Sequence, residues 1–127
     1  MEAKMATLND RVFDNGLSVL DTEANKIVIT SQEATTYTEA NATYALGDST
    51  SLSVGAPADR AGGGREVTVA AITDGSVTAT GTATHYAIVD TSNTRLLATS
   101  TLTASQAVTT GNTFTLSSVA IGIPDPV

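Results

Sequence analysis

His85 is the only imidazole in the chain and there is no cysteine, so nucleophilic or metal chemistry must pass through that histidine or through carboxylates alone. A Ser-His-Asp arrangement needs a carboxylate that can orient the ring. Asp90 follows five positions later, an odd separation, so in an extended strand it lies on the opposite face and is a poor orienting partner. Zinc would require further His or Cys ligands that do not exist here. For calcium, Asp90-x-x-Asn93 and Asp74-Gly75 are the local oxygen clusters, and neither has the spacing of an EF-hand loop. Both fall where Asp and Asn side chains commonly bond their own backbone in turns. Gly62-Gly63-Gly64 is followed by Arg65 rather than the Lys-Ser/Thr of a phosphate-cradling loop. No paired carboxylates at a spacing for acid–base work stand out among the thirteen acidic residues. The expectation is a protein that is not an enzyme and uses no metal or cofactor.

The elements that hold these residues read as strands. Residues 82–90 alternate into Ala83, His85, Ala87 and Val89 on one face and Thr84, Tyr86, Ile88 and Asp90 on the other. Both sets are partly apolar, which places the strand inside a sheet covered on both sides. With 41% hydrophobic but only 4% aromatic residues and no tryptophan, the core must be built from Val, Ile, Leu and Ala. A length of 127 residues fits one domain.

Along the chain, residues 1–13 read as an N-terminal arm, with Leu8, Val12 and Phe13 spaced for one side of a helical turn. Asn15 is a good helix N-cap, and Leu17, Leu20 and Ala24 predict a short helix over 16–24. Residues 26–30 form a first strand. Residues 31–46 show no sustained period and read as a long loop, in which Tyr37 and Tyr44 either pin the loop to the body or meet a partner. Gly47-Asp48 reads as a turn and residues 51–55 as a short strand. Residues 56–65 form a flexible loop in which Arg60 and Arg65 stand beside Asp59 and Glu66 as local ion pairs. Strands follow at 66–73, 77–79, 82–90 and 95–102, with Asp74-Gly75 as a hairpin turn and Gly81 as a bulge or bend. In the last strand, 113–123, Phe114 and Leu116 have the opposite parity to Val119, Ile121 and Ile123, which predicts a bulge near Ser117-Ser118. Pro124 ends the sheet. The pattern predicts a mainly β protein: a single antiparallel β-sandwich over 14–127, of jelly-roll or immunoglobulin-like type, with one short N-terminal helix.

A net charge of −7 disfavours nucleic acid as a partner, because phosphate backbones need neutralising cations. The first residues lack the apolar core of a signal peptide, and no run is long enough to span a membrane. The expectation is a soluble protein made in the cytoplasm, with no membrane partner and no use for the sequon at Asn41-Ala42-Thr43.

Several stretches carry a family resemblance. They are Ile27-Val-Ile-Thr-Ser-Gln-Glu, Thr43-Tyr-Ala-Leu-Gly, Gly64-Arg-Glu-Val-Thr-Val, Gly81-Thr-Ala-Thr-His-Tyr-Ala-Ile-Val-Asp, Arg95-Leu-Leu and Gly111-Asn-Thr-Phe. In this order, from about residue 15 to residue 126, they resemble a family of small structural proteins of tailed bacteriophages. Ala34 stands where many members carry proline after Ser-Gln-Glu. That family is recognised by overall pattern, so it lends no active-site residues. The resemblance implies a virion component, in its leading form a capsid decoration or cement protein on the capsid exterior. It would bind the major capsid protein and copies of itself after synthesis in the bacterial host. The alternative is a tail or head fibre or receptor-binding module presenting the loops at 31–51 and 56–65. On the cement reading the candidate capsid contacts are Met5, Leu8, Val12, Phe13, Tyr37, Tyr44, Arg60 and Arg65.

Overall fold

The computed structural model describes the backbone from Asp10 to Pro124 and the side chains from Asn15 onward. Within these bounds the chain is mainly β. Its elements run α1 (Asp10–Glu23), β1 (Lys26–Thr30), a π-helical turn (Glu39–Thr43), β2 (Ala45–Ser49), β3 (Ala58–Asp59), β4 (Arg65–Val69), β5 (Ile72–Val77), β6 (Gly81–Asp90), β7 (Arg95–Val108), β8 (Thr113–Leu116) and β9 (Val119–Ile123). The strands form two antiparallel sheets, in the orders β7-β6-β1-β2-β5-β8 and β3-β4-β9.

The chain divides into two compact units. One holds Glu23–Leu52 and Ala71–Ser117, which contain the six-stranded sheet. β6 lies inside it, flanked by β1 and β7, and its residues Tyr86 through Asp90 are all buried. The register pairs Ile27 with Ile88 and Ile29 with Tyr86 on one face, and Val28 with Ala87 and Lys26 with Val89 on the other. β-Branched residues suit this pleated, covered surface, and each large aliphatic side chain buried adds roughly 1.5–3 kcal/mol. The sheet curls until its edge strands meet at one end, where the Gln106 Nε2 donates to the Thr115 carbonyl at 3.1 Å.

Residues 31–44 are more ordered than their lack of period suggests. They fold back over β1 and β6, packing Ala34, Tyr37, Ala40 and Tyr44 on Val28, Ala87 and Val89. The π-helical turn closes with the Tyr44 N–H donating to the Glu39 carbonyl at 2.8 Å, a five-residue span. Small alanines let the turn approach the sheet, and the two tyrosines fill the rim.

The second unit draws on Met1–Thr22, Ser53–Ala70 and Ser118–Val127 and contains the three-stranded sheet. Here α1 starts at Asp10, so Asn15-Gly16 lies inside the helix instead of opening it, and residue 13 is a helical position. The apolar spacing runs on both sides of Asn15, and the burial of Leu17 and Leu20 outweighs the capping preference. Gly16 faces β9, with Ile123 Cδ1 3.5 Å from where a Cβ would stand.

Several punctuation residues have other duties than those the sequence suggests. Gly47-Asp48 is not a turn. It lies in β2, where a Cβ at Gly47 would come within 2.5 Å of the Ser76 carbonyl of β5. Asp74-Gly75 lies inside β5 at an irregular step of its pairing with β8, and the strand turns after Val77. Of residues 51–55, Val54 alone makes a ladder contact, a bridge to Val69. Residues 56–65 form an ordered hairpin between β3 and β4. The parity change at Ser117-Ser118 is not a bulge within one strand, because β8 ends in one sheet and β9 begins in the other.

Candidate functional site

Asp90 is the most completely enclosed carboxylate of the described residues, at 2% exposure. Its Oδ1 accepts the backbone N–H of Ser92 at 3.0 Å and of Asn93 at 3.3 Å, and its Oδ2 accepts the Asn93 side-chain amide at 2.7 Å. The Asn93 side chain foremost, then these backbone donors, holds the carboxyl below its usual range against the opposing effect of burial. This is the turn chemistry that Asp-x-x-Asn suggests. It ties β6 to β7.

Asp74 lies in a comparable cradle that is not legible locally. Ser51 donates its hydroxyl to Oδ2 at 2.8 Å and Ser49 to Oδ1 at 3.1 Å, and these bonds lower the Asp74 pKa. Glu39 accepts both the Thr35 N–H and the Thr35 hydroxyl at 2.8 Å, and its pKa is lowered by that N–H first and the hydroxyl second. The Glu39 N–H in turn donates to Thr36 Oγ1 at 3.1 Å. Thr36-x-x-Glu39 is a capping box displaced by one residue, a signal present in the sequence and overlooked there.

His85 Nδ1 stands 2.8 Å from Thr84 Oγ1, an imidazole beside a hydroxyl. Thr84 Oγ1 donates its proton to the Ser31 carbonyl at 3.0 Å, so the ring must donate to the Thr84 oxygen. That direction is the reverse of a base drawing a proton from a nucleophile. Asp90 lies at the far end of β6, against Arg95 of β7. The neighbouring Tyr86 hydroxyl has its pKa raised by burial, opposed by its bond to Ser100.

Of the candidate contact residues, Met5 and Leu8 lie outside the described residues, and Val12 and Phe13 fall in the first turn of α1. Tyr37 and Tyr44 pack against the buried cluster of Val28, Ala34, Ala40, Ala87 and Val89, pinning the loop to the body. Tyr44 also lends its hydroxyl to Glu39 Oε2 at 3.4 Å. Arg60 and Arg65 meet in one hairpin. Arg65 Nη1 lies 2.7 Å from Asp59 Oδ1 and its Nη2 donates to the Pro57 carbonyl at 3.2 Å, while Arg60 Nη1 donates to the Gly63 carbonyl at 3.0 Å. Gly64 has φ +91 and presses on the Ile123 carbonyl, so the glycine is required there both by conformation and by space. The structure therefore brings the arginines together at the small sheet and the tyrosines together at the large one.

Lys26, which the sequence did not single out, donates to Asn41 Oδ1 at 2.9 Å and lies 3.7 Å from Asp48 Oδ2, linking the π-helical turn to β1 and β2. Among the described residues, no group of three or more His, Asp and Glu is placed to hold a metal ion, and no helix is long and apolar enough to cross a membrane. No family model, curated protein or solved structure matches the chain.

Proposed function

We propose that the protein is a non-enzymatic structural component of a virion, a decoration protein that binds the outside of a capsid shell and stabilises it. The observation that carries the structural part of this reading is how the polar side chains are employed. Asp90, Asp74, Glu39, Lys26, Arg60 and Arg65 each brace a turn or join neighbouring elements of the backbone. Fixed, mutually satisfied polar groups suit a rigid β module whose work is mechanical. The resemblance of residues 15–126 to tailed-phage structural proteins supports the virion setting, and the net charge of −7 disfavours a place against packaged DNA. Many copies on a symmetric shell need only modest affinity at each site to cover seams between capsomers, and binding only the assembled shell raises its stability by mass action.

The test is co-sedimentation of the purified protein with expanded, undecorated capsids of the phage that encodes it. Saturable binding at hundreds of copies per particle, with a higher melting temperature of the shell, is the expected outcome. A few to a few tens of copies would replace the cement reading with a fibre or collar part, and no binding would remove the capsid from the account.

A further inference from the structure

The two sheets leave four edge strands among the described residues, and three of them are guarded. β3 has two residues and β8 has four, too little ladder for another strand to follow. β7 is long, but its pairing with β6 is interrupted twice: Leu97 is an extra residue between Leu96 and Ala98, and Leu102 to Ser105 stand opposite Thr84 alone. Such bulges twist an edge away from partners. β9 differs. All five residues pair with β4 in unbroken register, from Val69 with Val119 to Arg65 with Ile123. It contains no charge, no proline and no bulge, and Ile123 is 36% exposed.

The sequence of β9 is complementary to itself. When Val119-Ala-Ile-Gly-Ile123 is laid antiparallel to a second copy about Ile121, Val119 meets Ile123, Ala120 meets Gly122, and Ile121 meets Ile121. Directly opposed residues share a face, so large side chains meet large ones and small meet small. Both faces of the strand already have neighbours in the same unit. Ile123 faces α1 at Gly16, and across Gly122 lies the Arg60 side chain, whose Cδ would be 2.8 Å from an added Cβ. What β9 offers is its backbone edge. Charge does not oppose the contact locally: from Thr91 to Pro124 there is no carboxylate, and in this register the following Asp125 falls opposite position 117 rather than its own twin, so the strand adds no like-charge pair to the general repulsion between two chains of net charge −7. Pro124 lies just beyond the ladder, where its missing N–H removes no bond.

We propose that β9 pairs antiparallel with β9 of a second copy about a two-fold axis at Ile121, merging two three-stranded sheets into one continuous sheet. This is an isologous contact that closes at the dimer, and it concerns the isolated protein independently of any capsid. A contact of five residues a side is small, so the dimer is weak and concentration-dependent.

Sedimentation equilibrium of the unaltered full chain, up to about 1 mM, gives the first measurement. The weight-average mass should climb from 12.9 kDa toward twice that value. The chain has no cysteine, so single introduced thiols report register directly. Ile121→Cys places two thiols directly opposite each other, within the Cα separation a disulfide accepts, whereas Ala120→Cys places them diagonally and out of reach. Mild oxidation should crosslink Ile121→Cys into dimers at least tenfold more than Ala120→Cys. A mass fixed at 12.9 kDa throughout overturns the proposal. So does a dimer of the unaltered chain in which both variants crosslink equally. A monomer whose β9 amides become protected from exchange only on capsids would assign the edge to a capsid strand and equally overturn self-pairing.

Discussion

Asp90 shows how a residue that looks chemical can be structural. Its carboxylate accepts three bonds from Ser92 and Asn93, in the middle of the turn into β7, and these bonds favour the charged form. Because the folded pKa is depressed below the ordinary 3.8, its contribution to stability is present above that value and is lost as pH falls through the folded pKa. Glu39 and Asp74 are shifted in the same direction, so their losses add to that of Asp90 as the solution is acidified. Asp90→Asn keeps an acceptor for the backbone but sets an amide donor against the Asn93 amide. The variant should melt several degrees lower near pH 7, and the gap to the parent should narrow toward about pH 3, as read by calorimetry across that range. A gap of the same size at both ends would show that the loss does not come from the ionised carboxylate, and no gap at either end would assign the bonds no part in stability. Asp90 was legible because Asx turns are local. The Asp74 cradle was not, since Ser49 and Ser51 arrive from more than twenty residues away, and sequence spacing carries no trace of that meeting.

At the scale of elements, alternation located the strands and misjudged several joints. Lys26–Thr30 and the run ending at Asp90 follow directly from local pattern. Glycines are the reverse case, because a glycine serves either to turn the chain or to let another group approach, and only the fold decides which. Gly75 is of the second kind: the Phe114 ring lies where its Cβ would be, at the irregular step between β5 and β8. Gly75→Ala should therefore cost about 1–3 kcal/mol, the usual range for overpacking a tight contact. Phe114→Leu alone should also destabilise, since Phe114 is 3% exposed. Combined, the two should cost less than their sum, because the smaller side chain makes room for the methyl group. Urea unfolding of the four proteins in the double-mutant cycle measures the coupling, and strict additivity would mean that Gly75 does not meet Phe114 in solution.

For the whole molecule, the chain's path matters more than its composition. The large sheet lies within two stretches, Glu23–Leu52 and Ala71–Ser117, whereas the small sheet is assembled from strands far apart in sequence, β3 and β4 at 58–69 and β9 at 119–123. Sequence parity recorded the third passage between sheets, as the flip between Leu116 and Val119, but a bulge and a change of sheet leave the same mark. Connectivity makes the dependence of the small sheet on the C-terminal stretch testable. Ending the chain at Ser117 retains every strand of the six-stranded sheet and removes β9, among the described residues the only strand that pairs along the full length of β4. Val67 and Val69, now 0% and 1% exposed, would face an unpaired edge, while Val28, Ala87 and Ile88 keep their ladder partners. Amide exchange should accelerate by about 100-fold or more at Val67 and Val69 and change little at Val28 and Ile88. Uniform loss of protection across both sets would show instead that the two units unfold as one.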